Sequence, residues 1–137
     1  MTFHEFVRKY NGKYVEFNQD PYKNQCVDLV QAYQAEVLGT PVTHGNGIDF
    51  DRNLDPSKYT YFRNTATFVP KDGDIAIFGR LVGMYGHVDI VYVDPWNPAN
   101  VWNFSSFSQN WPKGSPAHII KHRMYWGVKG FLRKREL

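Results

Sequence analysis

The sequence predicts an α+β fold in which N-terminal helices precede an antiparallel β-sheet. Apolar residues recur at helical intervals only near the start of the chain, whereas the later segments are short apolar or alternating runs separated by turns. Helices followed by a run of consecutive strands are typical of an α+β domain with an antiparallel sheet. The chain has 137 residues, which is the length of one domain, so we predict a single domain over residues 1–137.

Two helices are predicted in the first part of the chain. The first spans residues 2–10, whose aromatic and aliphatic residues share one helical face, and an Asn-Gly pair ends it. A polar loop over residues 18–24 follows. The second helix spans residues 26–38, and Gly39 followed by Pro41 ends it. Residues 40–59 are rich in Gly, Asp and Asn, which indicates a loop.

The rest of the chain predicts a meander of strands. The predicted strands cover residues 74–78, 87–94, 101–111 and 125–132. In the second of these, alternation places His87, Asp89 and Val91 on one face of the sheet and the intervening apolar residues on the other.

Composition excludes several classes of protein. The single cysteine, Cys26, excludes an internal disulfide framework and a zinc site built from several thiolates. No apolar run is long enough to span a membrane, and charged residues within residues 1–10 do not fit a secretory signal. A net charge of +3 and 17% aromatic residues suit a polyanionic partner, either nucleic acid or an anionic cell wall.

Cys26 is the first candidate for chemistry because it opens a predicted helix directly after a polar loop. The helix dipole and the unpaired N–H groups of a first turn favour the thiolate, which is the nucleophilic form. A small residue packed under the sheet is the alternative interpretation.

His87 is the second candidate. It opens a strand after a Tyr-Gly pair, where a histidine can take a proton from a thiol and return it to a leaving group. The other histidines are interpreted as surface or loop residues, and a metal pair at His118 and His122 is not expected. A third group should orient the imidazole, and strand alternation places Ser108 and Asn110 on one face as candidates.

Four motifs in order resemble those of the CHAP domain, the cysteine, histidine-dependent amidohydrolase/peptidase family. They are QCVDL at residues 25–29, PKDGDIAIF at 70–78, YGHVDIV at 85–91 and QNW at 109–111. The GFLR segment at residues 130–133 is similar to the closing strand of the family. Together these segments cover nearly the whole chain and are most similar to the CHAP domains of phage endolysins.

The resemblance implies a papain-like fold and a set of site residues. It assigns Cys26 as nucleophile, His87 as base and Gln25 as a contributor to the oxyanion hole. Asn110 matches the asparagine of the family, but Ser108 stands where many relatives have a Glu or Asp that orients the histidine. We therefore favour Asn110 as the group that orients the imidazole, with Ser108 second and Asn103 a further alternative.

The loop before Cys26 resembles a calcium cage, because oxygen-bearing side chains alternate along it. The candidate ligands are Asn18, Asp20, Tyr22, Asn24 and Asp28. Since carboxylates are few, a solvated turn is an equal alternative, and we expect no cofactor to be required.

Two functions from different classes remain open from the sequence. The first is a peptidoglycan hydrolase of the endolysin type, a monomer made in the infected host cytoplasm without a signal peptide and acting at the bacterial wall. The bond could be that of an amidase or of an endopeptidase. The second is a non-catalytic binder of cell wall or nucleic acid, although no stripe of interleaved basic and aromatic residues favours nucleic acid. The basic run over residues 133–135 is interpreted as a solvated tail or linker stub.

Overall fold

The computed structural model describes residues 1–17, 25–122 and 124–136. The helices are α1 (Phe3–Tyr10), α2 (Cys26–Tyr33) and α3 (Phe50–Asn53). The strands are β1 (Tyr59–Arg63), β2 (Ile75–Phe78), β3 (His87–Tyr92), β4 (Phe104–Ser108), β5 (His118–His122) and β6 (Val128–Lys134). They form one six-stranded antiparallel sheet with the order β1-β6-β2-β3-β4-β5. The predicted α+β fold class is confirmed.

Both predicted helices are present, with local signals at their ends. Thr2 caps α1 by accepting the Glu5 N–H, and the Glu5 carboxylate accepts the Thr2 N–H in return. Helix α2 continues through a π-helical turn over Gln34–Leu38 and ends at Gly39, which is left-handed.

The sheet contains the predicted meander and two strands that the sequence did not predict. Strands β2 to β5 follow one another as neighbours, whereas β6 lies between β1 and β2. Strands β1 and β5 lie at the two edges, and most of their residues are only partly buried or exposed. Edge strands lack the clear apolar alternation of half-buried strands, so their sequences resemble loops.

The two faces of the sheet carry different cores. The helix-side core joins α1 and α2 to aliphatic residues such as Ile77, Val88 and Ile90. The opposite face is built from aromatic residues, among them Phe78, Phe104 and Phe131. His87 and Asp89 alternate with Val88 and Ile90, so they face the aromatic side, as the sequence predicts.

The basic C-terminal run is part of the sheet, so its interpretation as a tail or linker stub was wrong. Arg133 lies in β6 and donates two hydrogen bonds, of 2.8 and 2.7 Å, to the buried Asp74. Arg135 donates from Nε to the Tyr59 carbonyl at 3.0 Å. Specific hydrogen-bond acceptors in the domain therefore hold these basic residues in place. None of the helices in the described ranges is long and apolar enough to cross a membrane.

Candidate active site

Cys26 is the first residue of α2 and is partly buried. The preceding residue, Gln25, is extended, and its N–H donates to the Asp28 carboxylate at 2.8 Å. This bond fixes the first turn of α2, which packs against β3. The thiol therefore stands at the end of the helix where unpaired backbone N–H groups and the helix dipole favour a negative charge.

His87 is the first residue of β3, and two glycines determine its backbone position. Gly86 has a φ of 64°, a left-handed conformation that glycine adopts without strain. A Cβ at Gly47 would lie only 2.8 Å from the His87 carbonyl carbon, so this loop approaches the strand more closely than any other residue would allow. These tight contacts fix the backbone of His87 at the start of β3.

The side chains of Cys26 and His87 are hydrogen-bonded to each other. Burial alone would lower the pKa of His87, but the negative charge of the Cys26 thiolate and the nearby Asp89 together raise it to about 9. Phe78 and Trp111 pack edge-on against the imidazole, with ring centroids 5.5 and 4.7 Å away. The surroundings therefore favour the imidazolium form of His87, which is shielded on one side by aromatic rings.

The Nε2 atom of His87 contacts two other groups. It lies 2.8 Å from the Ser108 hydroxyl and 3.2 Å from the Asp89 carboxylate. Nε2 is thus engaged away from the thiol, which leaves Nδ1 to face Cys26.

The prediction that Asn110 orients His87 is not what the geometry supports. Asn110 has a φ of 65°, so the chain has left the strand conformation and alternation no longer places Asn110 beside Ser108. Its amide donates to the Gln25 side-chain oxygen at 3.2 Å, and its oxygen accepts the Gly114 N–H at 2.6 Å. Asn110 and Gln25 therefore form a separate unit on the wall of the site.

The third alternative, Asn103, lies just before β4, at the end of the strand remote from His87. Its N–H donates to the Asn100 side chain in a turn, at 2.9 Å. This position is out of reach of the imidazole.

Gln109 is a positioning residue that sequence reasoning missed. Its fully buried side chain accepts the Val15 N–H at 2.7 Å and donates to the carbonyls of Val15 and Gln25 at 2.9 and 2.8 Å. Gln109 thus ties the backbone at Val15 and at Gln25 to the end of β4. The available signal was a glutamine directly after the strand end at Ser108, because an amide that becomes buried there needs partners.

A buried polar cluster beside His87 was also missed. Asp89 is fully buried and accepts the Ser106 hydroxyl at 2.7 Å, while His122 Nε2 lies 3.5 Å from the same carboxylate oxygen and 2.8 Å from the Ser106 oxygen. Burial works to raise the pKa of Asp89, but His122 and His87 hold it at about 2. The alternation of Asp89 with His87 was a signal for its position; His122 had none, because β5 was not predicted.

His118 and His122 lie in the edge strand β5 and not in a loop, and the side chain of His122 is only 9% exposed, so the interpretation as surface or loop residues was wrong for His122. Four residues along a strand separate side chains by ~13 Å, so the two imidazoles cannot share one metal ion. No group of three potential His, Cys, Asp or Glu metal ligands occurs among residues 1–17, 25–122 and 124–136.

Most of the candidate calcium ligands lie outside the described residues, namely Asn18, Asp20, Tyr22 and Asn24. Asp28 is described and fully buried, and its two carboxylate oxygens accept the N–H groups of Phe17 at 3.3 Å and Gln25 at 2.8 Å. These bonds give Asp28 a structural task at the start of α2. Calcium binding by this loop stays a prediction.

An open cleft of about 670 Å³ leads to the Cys26–His87 pair. One wall carries the exposed Met84 and Tyr85, and the other carries Asn110, Trp111 and Lys113. Gln25 also lines the cleft beside Cys26. An extended polar chain could therefore lie across the thiol with solvent on its far side.

Comparison with known proteins identifies a matching domain family and a similar autolysin. The family model described as the CHAP domain matches residues 15–110. The chain is 29% identical over 127 residues to a protein named "Probable autolysin PH" from Staphylococcus aureus (strain NCTC 8325 / PS 47), with 81% of this chain covered. The match spans only 25% of that autolysin.

Solved structures agree with the fold. The wild-type endolysin LysIME-EF1 superposes with a TM-score of 0.77 at 28% identity, covering 97% of this chain and 64% of that one. Ly7917, in a crystal structure with the hydrolyzing product of MDP, superposes with a TM-score of 0.68 at 14% identity, covering 94% of this chain and 60% of that one. The latter identity is low enough that the likeness concerns the fold alone.

Proposed function

This chain belongs to the CHAP domain family, and from that premise we propose that it hydrolyses an amide bond of bacterial peptidoglycan through a cysteinyl acyl-enzyme. The observation that carries the proposal is the hydrogen-bonded Cys26–His87 pair at the base of an open cleft. The names of the similar autolysin and endolysin support the choice of cell wall as substrate. A non-catalytic binder has no use for a thiol paired with a buried imidazole, so the hydrolase is favoured.

In the proposed acylation, the Cys26 thiolate attacks the carbonyl carbon of the scissile amide and forms a C–S bond. The protonated His87 gives its Nδ1 proton to the leaving nitrogen as the C–N bond breaks, so the amine departs neutral. In the proposed resting state, a Cys26 thiolate beside a protonated His87 supplies both the nucleophile and the acid that this step requires.

The oxyanion of the tetrahedral intermediate needs donors near Cys26. The N–H groups of the first turn of α2 supply them, since the start of a helix directs its unpaired N–H groups outward. Gln25 lines the cleft beside the nucleophile and is fixed by Asn110, so we assign it a supporting part in this oxyanion site.

Deacylation reverses the proton transfer. Neutral His87 takes a proton from water, the resulting hydroxide attacks the thioester carbon, and the C–S bond breaks to release the thiolate and a carboxylic acid, which loses its proton to solvent. Ser108 contacts Nε2 at 2.8 Å, on the side of the ring away from the thiol, in both steps.

The proposal extends to the domain organisation, the oligomeric state and the partners of the protein. Residues 1–137 form one catalytic domain that works as a monomer on peptidoglycan, with no part for nucleic acid or membrane. We propose that it acts in endolysin-type lysis of the bacterial wall, as an amidase or endopeptidase. The chain spans about a quarter of the length of the matched autolysin and less than two thirds of the matched endolysin.

Removing the nucleophile tests the proposal directly. We expect Cys26→Ala and Cys26→Ser to lose all but about 0.1% of the hydrolysis of purified peptidoglycan, because a hydroxyl or methyl group cannot replace the thiolate. His87→Ala should be similarly inactive, whereas His44→Ala, at an exposed histidine outside the site, should keep wild-type activity. Mass spectrometry of the released fragments also identifies the bond that is cut.

The proposal fails if Cys26→Ala, with an unchanged circular dichroism spectrum, still releases more than a few per cent of the wild-type products. It also fails if the wild-type protein binds cell walls but releases no new amine or carboxylate end.

A further inference from the structure

A buried carboxylate lies beside the proposed catalytic histidine and has no assigned task. The pairing of Ile90 with Phe107 continues to Asp89 and Ser108, so these two residues face each other across β3 and β4. Both contact Nε2 of His87, at 3.2 and 2.8 Å. The serine makes the shorter bond, while the aspartate brings the negative charge.

The buried charge of Asp89 lowers the stability of the fold unless donors or cations close to it offset the loss of solvation. The residue is fully buried, and its Oδ1 atom has no hydrogen-bond partner among the described residues. A buried carboxylate costs several kcal/mol of solvation free energy, which only close donors or cations offset. A hydrophobic residue would serve this aromatic face of the sheet better, so stability does not explain the acid.

His122 and Ser106 hold the carboxylate from the other side. The Ser106 hydroxyl donates to Asp89 Oδ2 at 2.7 Å, which leaves its oxygen to accept the His122 Nε2–H at 2.8 Å. Phe104 stacks on the His122 ring with centroids 4.6 Å apart, and the side chain of His122 is only 9% exposed. The Ser106 hydroxyl therefore donates to the carboxylate oxygen that also faces His87, while His122 holds Ser106 in place and lies 3.5 Å from that oxygen.

We propose that Asp89, held by Ser106 and His122, is the carboxylate that positions His87 for catalysis, in place of an acid at position 108. The inference rests on the proposed function for its turnover, but the arrangement of the imidazole can be measured without any substrate. Asp89 accepts the Nε2–H, keeps Nδ1 directed at the thiol and stabilises the imidazolium. His122 is a positioning residue that acts through Asp89.

The test uses Cys26 as a reporter, since it is the only cysteine in the chain. The rate of Cys26 alkylation by iodoacetamide is measured against pH, together with kcat and KM on peptidoglycan. The titratable groups that face His87 are Cys26 from α2, Asp89 from its own strand and, behind Asp89, His122 from β5.

For Asp89→Asn we expect kcat to fall at least ~100-fold with KM within about 2-fold, because an amide can donate to Nε2 and select the wrong tautomer. The pH dependence of Cys26 alkylation should shift with it, since the imidazolium loses its nearest fixed charge. His122→Phe should lower kcat by ~10-fold, and His122→Gln should recover most of it because its amide can still donate to Ser106. His118→Gln, a histidine of the same strand outside the cluster, is the matched control and should match wild type.

Folding is checked by circular dichroism and by the denaturation midpoint of each variant. A wild-type alkylation profile for folded Asp89→Asn would overturn the proposal, as would a larger shift in Ser108→Ala than in Asp89→Asn. If His122→Phe keeps the wild-type alkylation profile and the wild-type kcat, His122 has no positioning role. The alkylation profile could shift as expected in Asp89→Asn while neither the wild-type protein nor any variant cleaves peptidoglycan. In that case Asp89 positions His87 as proposed, and the proposed substrate is wrong.

Discussion

Replacing Gln109 should separate the stability of the fold from the alignment of the site. In Gln109→Ala the buried N–H and carbonyl of Val15 lose their partners at 2.7 and 2.9 Å, and the Gln25 carbonyl loses one donor at 2.8 Å. Each buried backbone group left without a partner costs ~1–3 kcal/mol, so the two groups of Val15 predict a loss of ~2–6 kcal/mol in the free energy of unfolding. That is a large part of the ~5–15 kcal/mol that stabilises a domain.

Gln34 offers a matched control for this change. It is also fully buried and makes three side-chain bonds, to the Thr43 N–H, the Thr43 hydroxyl and the Tyr59 hydroxyl, at 2.9, 2.8 and 3.1 Å. These partners lie after the end of α2 and in β1, and neither Thr43 nor Tyr59 lines the cleft. Gln34→Ala should therefore cost a similar free energy while leaving Cys26 in place.

The assay combines urea denaturation with the rate of Cys26 alkylation at low temperature, where both variants are folded. We expect both variants to lose stability, but only Gln109→Ala to change the alkylation rate, because Gln109 holds the backbone of Gln25 directly before the nucleophile. Equal alkylation rates in the two variants would refute the positioning role of Gln109. A loss below about 1 kcal/mol in Gln109→Ala would refute the energetic reasoning.

Three further predictions follow from the same contacts. The pKa of His87 is raised to about 9, so the stabilisation from its protonated form is complete below about pH 6.5 and is lost as pH rises to about 9. The denaturation midpoint should therefore fall between about pH 6.5 and 9, whereas kcat/KM should fall as pH rises past about 9 and the imidazolium loses its proton. Ser108→Glu should lower kcat, because the new carboxylate would face the buried Asp89, and a faster variant would contradict this. Gly86→Ala should cost at least ~1–3 kcal/mol by urea denaturation, since its left-handed backbone and the Phe78 carbonyl leave no room for a Cβ.

Local patterns were sufficient for much of the molecule. Thr2 and Glu5 cap the start of α1, and the left-handed Gly39 ends the second helix. Both signals are local, because a helix cap depends only on neighbours within a few residues. The thiol at a helix start and the histidine at a strand start were likewise readable, since each depends on the element that it opens.

The edge strands and the orientation of the imidazole depended on contacts distant in sequence. His118–His122 becomes a strand only because β4 offers it backbone partners, and its residues are too exposed for a period of two to stand out. Without that strand, His122 cannot be placed beside Asp89.

Asn110 shows why alternation failed at the site. The rule that residues two apart share a face holds while the backbone is extended, and a φ of 65° at Asn110 ends it. The sequence by itself determined that Cys26 and His87 are suited to chemistry and that Asp89 shares a face with His87. Only the tertiary structure decided which groups meet the imidazole, because strand register and buried hydrogen bonds between distant segments set those distances.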